Sequence, residues 1–185
     1  RPMIDPLFSG AVAAGLALLL LVAAWHKVTA RDEFVAALRD YRLLPAVLLR
    51  PVAWLLPLTE FVLAVGWLTG AARPAVAGST VLLLLVYAGA VAVNLLRGRV
   101  HIACGCGLGG AQHGDARLSW WLVARNAVLA GVAGVAALPA AQRGLGAMDW
   151  LALVLATLAA ILLYAGASQL MRNGAAIAAW RTRSD

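Results

Sequence analysis

The sequence predicts an all-α, multi-pass transmembrane helical bundle, with a four-helix core, a fifth C-terminal span and an interfacial amphipathic helix. Three observations lead there. Hydrophobic residues make up 63% of the 185 residues, charged residues only 12%, and mean hydropathy is +0.87. Soluble domains run nearer to half apolar and about a quarter charged. Five windows are long and apolar enough for about 20 helical residues to cross roughly 30 Å of hydrocarbon. The alternating segments of about ten residues that mark a membrane barrel are not seen.

The first window runs from Pro6 to Trp25. It is too long for a typical signal-peptide core and ends in no clear small-x-small cleavage site, so it reads as a span. A more polar stretch follows, from His26 to Arg50. Here Phe34, Val35, Leu38 and Tyr41 recur near helical spacing, with Arg31, Asp32, Asp40 and Arg42 between them. That pattern predicts an amphipathic helix over Arg31 to Leu44, lying in the interface. Thr29 followed by Asp32 fits a capping-box-like start. Lys27 is expected to snorkel toward the headgroups.

The second span is expected over Val52 to Thr69, with Pro57 kinking it through the loss of a backbone donor. The short turn from Gly70 to Pro74 makes an antiparallel hairpin with the third span, Ala75 to Leu96. The longest polar connection, glycine-rich, runs from Arg97 to Ser119 and carries both cysteines and two of the three histidines. A fourth span follows over Trp120 to Leu138 and a fifth over Met148 to Leu170. Residues 1–138 are expected to form the four-helix membrane domain, and 139–185 the last span with a short polar tail.

The formal charge of +7 does not indicate nucleic acid, because the arginines are spread over short connections instead of forming one block. With five spans, one side carries Lys27, Arg31, Arg39, Arg42, Arg50, Arg97, Arg99, Arg117, Arg172, Arg181 and Arg183. The other carries Arg1, Arg73 and Arg143. Together with Arg125 inside the fourth span, these 11, 3 and 1 account for all 15 basic residues. The positive-inside rule then places the cysteine connection at the cytoplasmic face.

Chemistry concentrates in that connection, which reads His101-Ile102-Ala103-Cys104-Gly105-Cys106-Gly107. Thiolates are the nucleophiles of disulfide exchange, and cations such as Arg97, Arg99 and His101 would favour them. A Cys-x-Cys disulfide closes a very small ring, which Gly105 and Gly107 make feasible. Strain in such a ring makes the bond oxidising, which suits electron transfer better than bracing. A metal reading uses His101, Cys104, Cys106 and His113 as zinc- or copper-type ligands, though their spacing is not a common zinc pattern. Two inert thiols in a turn are the bland alternative.

Within the spans, Glu60, Asn94, Arg125 and Asn126 are polar groups at depths where such groups are expensive and usually paired or functional. Glu60 and Arg125 could form an ion pair. Alternatively, Arg125 could stabilise a thiolate or a quinone oxyanion, with Glu60 accepting protons. Trp120 and Trp121 fit an interface belt, and Trp121 could also pack a quinone ring.

Three stretches together resemble the MauE branch of the DoxX-like membrane proteins. These are Lys27 to Pro45, Leu56-Pro57-Leu58-Thr59-Glu60, and Asn94 through Cys104-Gly105-Cys106-Gly107 to Ser119-Trp120-Trp121 and Arg125-Asn126. The resemblance covers roughly residues 6 to 138. It implies a multi-pass protein of a bacterial-type plasma membrane, linked to methylamine utilisation and to maturation of the disulfide-rich small subunit of methylamine dehydrogenase. It also implies a thioredoxin-like partner on the outer side, opposite to the face indicated by the charge distribution. On this reading the chain is a membrane thiol–disulfide oxidoreductase using Cys104 and Cys106, with a membrane quinone as the possible second electron carrier. The alternatives are a non-catalytic scaffold that recruits a soluble redox enzyme, and a Cys/His metal-handling protein.

Overall fold

A computed structural model of the chain describes residues 5–70, 73–100, 118–139 and 146–181, with side chains through 170 apart from 168. The described residues form six helices and no strands. They are α1 (Pro6–Thr29), α2 (Arg31–Tyr41), α3 (Ala46–Thr69), α4 (Arg73–Leu96), α5 (Trp120–Val135) and α6 (Ala147–Arg181). Four of them, α1, α3, α4 and α6, are long and apolar enough to cross a bilayer. The fold is therefore the multi-pass helical bundle that the composition predicts.

The fourth window is shorter than its hydropathy implies. Helix α5 has 16 residues, about 24 Å at ~1.5 Å per residue, which is less than the hydrocarbon thickness. The chain leaves it in turns from Ala136 to Leu138, ahead of Pro139, and a residue preceding proline disfavours the helical region.

Each helix end has a local cause. Asp5 caps α1 by accepting a hydrogen bond from the Leu7 amide at 2.8 Å, and Pro6 supplies a pre-set first helical residue. Gly70 ends α3 at φ 68, donating to the Gly66 carbonyl. Helix α4 closes in a Schellman arrangement. Arg99 donates to the Asn94 carbonyl, Gly98 donates to that of Leu95, and Gly98 holds φ 71. The capping box expected at α2 is not formed. Thr29 is the last residue of α1, and its hydroxyl donates back to the Trp25 and His26 carbonyls, while Ala30 stands at the break. A β-hydroxyl on a final helical turn has those carbonyls within reach, and it satisfies them first.

Helices α1 and α3 form one closely packed pair and α4 and α5 another. Helix α2 folds over the ends of α1 and α3, and α6 lies outside, against α1. The interior stripe of α1 is Ala13, Leu16, Ala17, Leu20, Ala24 and Lys27; that of α3 is Leu49, Ala53, Pro57, Glu60, Ala64 and Trp67. Both recur every three or four residues, the helical period. Small residues let the backbones approach where lipid on one side is as apolar as protein on the other. The apolar span of α6 buries none of its residues.

Candidate functional site

The bundle has two ends. Thr29, α2, Ala46, Leu96 and Trp120 gather at the first. Pro6, Thr69, Arg73 and the start of α6 gather at the second. Two contacts mark the second end: Arg73 Nη1 donates to Ser9 Oγ at 2.6 Å, and a Cβ on Gly10 would meet Leu153 of α6. The connection carrying Cys104 and Cys106 starts and finishes at the first end. Its flanks meet there, since the Leu118 amide donates to the Val100 carbonyl at 2.9 Å. Leu118 is buried with Val91 against Tyr41, Leu95, Leu122 and Val123, so this seam anchors the connection to α4, α5 and the tail of α2. Cys104, Cys106, His101 and His113 lie outside the described residues, as does the metal reading that uses them.

The most polar place inside the described bundle is centred on Glu60. Lys27 Nζ donates to Glu60 Oε1 at 2.6 Å, and Tyr87 Oη donates to the same oxygen at 2.8 Å. Lys27 is 3% exposed and Glu60 1%, which makes this a fully interior ion pair. The ammonium also sits 5.3 Å from the Tyr87 ring centroid and 5.6 Å from that of Phe34, so two aromatic faces share its charge. Three spans and the amphipathic helix meet at this point. The second carboxylate oxygen, Glu60 Oε2, is buried without a partner.

Two expectations are corrected here. Lys27 does not snorkel, and the partner of Glu60 is Lys27, not Arg125. Both follow from helix geometry. Side chains tilt toward the N-terminus of their own helix. Lys27 stands at the C-terminal end of α1, so its stem leans into the bundle toward Glu60 and away from the nearer headgroups. Arg125 stands near the N-terminal end of α5, so its side chain leans toward the cysteine end and away from the mid-depth Glu60. Its guanidinium lies 5.7 Å from the Tyr164 ring of α6, with Nε buried and unpartnered.

One sign of Lys27 was already present in the sequence. It is the only lysine, every other basic residue being arginine. With Lys27 neutralised inside the bundle, the charge tally loses one of its eleven residues on the cysteine side. The asymmetry survives at ten against three.

The other polar candidates are interior but not joined to Glu60. Asn94 is 0% exposed near the cysteine end of α4; its Nδ2 donates to the Ala90 carbonyl, and Oδ1 is buried without a partner. Asn126 of α5 is 4% exposed, and its Nδ2 donates to the Leu122 carbonyl. Each amide nitrogen therefore finds its acceptor within its own helix. Trp120 and Trp121 are exposed at the start of α5, at the level an interface belt occupies. No group of three or more metal-ligating side chains occurs among the described residues.

Comparison with known proteins then places the chain. The family model described as methylamine utilisation protein MauE matches residues 5–139. The methylamine utilization protein MauE of Paracoccus versutus is 42% identical over 167 residues, covering 90% of this chain and 88% of its own. That of Paracoccus denitrificans is 40% identical over 131 residues, covering 71% and 69%. That of Methylorubrum extorquens is 38% identical over 126 residues, covering 68% and 66%. No solved structure matches.

Proposed function

Because the chain belongs to the methylamine utilisation protein MauE family, we propose that it is a membrane thiol–disulfide redox protein of a methylamine-utilising system, with Cys104 and Cys106 as its reacting pair. The observation that carries this reading is the pinning of the cysteine connection. Joined through Val100 and Leu118 and closed by the Gly98 cap, it leaves and re-enters the bundle at one place. Thiols carried by a connection anchored that way would be within reach of both a water-borne protein and the membrane interface.

The proposed step balances. A dithiol on a thioredoxin-like partner reduces the Cys104–Cys106 disulfide through a mixed disulfide. The partner loses two electrons and two protons, and Cys104 and Cys106 leave as thiols. A membrane quinone then takes the same two electrons and two protons, becoming a quinol and restoring the disulfide. Arg97, Arg99 and His101 favour the thiolate, with Arg125 leaning toward the same end. Glu60, held by Lys27 and Tyr87, is an interior carboxylate with Oε2 unpartnered, and on this reading it accepts one of the protons. Trp121, exposed at the start of α5, is the side chain on which a quinone ring would pack, with Asn94 and Asn126 as supporting groups buried in α4 and α5. The substrate on this reading is the disulfide-rich small subunit of methylamine dehydrogenase or its thioredoxin-like catalyst.

The test is exchange by the full chain reconstituted in vesicles, with a reduced thioredoxin-like protein outside and quinone inside the bilayer. Wild type should oxidise the partner with stoichiometric quinol formation. Cys104→Ser and Cys106→Ser should each reduce the rate to background. Full exchange by Cys104→Ser would overturn the assignment. If partner binding then persisted, the chain would be a scaffold.

A further inference from the structure

We infer that the chain carries a binding site for one anionic phospholipid of the phosphatidylglycerol class, built by α1, α2 and the first half of α3. The site has two compartments. The first is an apolar groove of about 520 Å³ on the α1–α3 face, walled by Leu21, Trp25, Trp54, Leu58 and Phe61. Trp25, Trp54, Leu58 and Phe61 are all exposed, so the groove opens to the acyl region. The second is a basic pocket of about 460 Å³ lined by Arg31, Asp32 and Arg39 of α2 and Arg50 of α3. Arg31 joins the two. It lines the basic pocket while its guanidinium stacks over Trp54, a wall of the groove, at 4.2 Å from the ring centroid.

Charge decides the occupant. None of the three guanidinium groups forms an ion pair with a described residue, and with Asp32 the pocket carries a net charge of about two positive units. Arginine forks match phosphate oxygens bidentately. Basic pockets between helices at the headgroup level recognise anionic lipids. A zwitterionic choline headgroup would bring its cation against three arginines. A glycerol headgroup brings hydroxyls, which the Asp32 carboxylate can accept. The acyl chain of the same molecule then runs down the groove past Trp54 and Phe61. The amphipathic helix thus does more than rest on the interface, since it supplies two of the three phosphate ligands.

The test uses the full chain in vesicles and reads tryptophan quenching by lipids brominated on the acyl chain. Brominated phosphatidylglycerol should quench at about five-fold lower mole fraction than brominated phosphatidylcholine. Trp25→Phe/Trp54→Phe should remove most of that difference by deleting both reporters in the groove. An Arg31→Gln/Arg39→Gln/Arg50→Gln variant should quench equally with both lipids, and Arg50→Gln alone should reduce the preference if the triple variant does not fold. An Arg97→Gln/Arg99→Gln variant should keep it, because bulk charge attraction would be lowered there without touching the pocket. Equal quenching of wild type by the two lipids would overturn the proposal. So would a preference abolished as strongly by the Arg97 and Arg99 changes as by those in the pocket. Preference for phosphatidylethanolamine over phosphatidylglycerol would also overturn it, by showing that Asp32 and not the arginines selects the headgroup.

Discussion

At the scale of single residues, the bundle is organised around interior polar groups that cannot be left alone. Glu60 is the clearest. A carboxylate in hydrocarbon is tolerated only with a partner, and here it has an ammonium and a phenol on one oxygen. Removing one member of such a pair is worse than removing both, because the survivor keeps its desolvation cost. Lys27→Met should therefore destabilise the chain by about 3–5 kcal/mol, read as a lowered unfolding midpoint in detergent. Lys27→Met/Glu60→Leu should recover most of that loss. A double variant no more stable than the single one would show that Glu60 draws no stability from Lys27. Thr80 plays a smaller part of the same kind. Fully buried, it accepts from Trp67 Nε1 at 3.0 Å and donates to the Val76 carbonyl, so the α3–α4 hairpin leaves neither indole nor hydroxyl unpaired.

At the scale of elements, close approach is bought with glycine at particular points. A Cβ on Gly66 of α3 would meet Val76 Cγ2 of α4 at 2.6 Å and Cγ1 at 3.3 Å. Valine is stiff about χ1 in a helix and cannot swing both methyls away. Gly66→Ala should therefore destabilise the hairpin by about 1–3 kcal/mol, even though alanine is the better helix former. Gly131→Ala in α5 meets nothing within 4 Å and should be neutral or slightly stabilising by the same unfolding measurement. Equal effects at the two positions would mean that α3 and α4 do not pack at the described distance. Helix α3 also runs unbroken through Pro51 and Pro57. Pro57 removes the bond that the Ala53 carbonyl would accept, one turn below Glu60, and both residues are buried. The existence of these helices was legible in the sequence, but their buried faces were not. Lipid-facing positions such as Leu55, Leu58 and Val62 are as apolar as the interior, so no amphipathic contrast marks the inside. Only α2, half in water, shows its orientation directly, through Phe34 and Ala37 turned inward.

At the scale of the whole molecule, the chain sorts its chemistry to one end. The cysteine connection, α2 and the C-terminal end of α6 share it, while Arg73 and the start of α6 mark the other. Thiol labelling in a Cys104→Ser/Cys106→Ser background tests this. An impermeant reagent should label Asp40→Cys from the same side as the native thiols of the parent chain, and Met148→Cys from the opposite side. Labelling of Asp40→Cys and Met148→Cys from one side would mean that α5 does not carry the chain across.

Sequence alone settled the solvent and the class of this protein. Composition and five apolar windows indicate a helical bundle in lipid, because only helices and closed barrels satisfy their backbone there and the alternating segments of a barrel are not seen. It also named Glu60, Asn94, Arg125 and Asn126 as interior polar groups, since charge and amide are conspicuous in an apolar run. Pairing was beyond its reach. Lys27 lies 33 residues from Glu60 and belongs to another helix, and a snorkelling lysine and a buried one are identical as letters. The tertiary structure decided between them through the tilt of side chains along α1 and the packing of α1 against α3. Those two facts turn Lys27 inward and leave Arg125 to the opposite pair of helices.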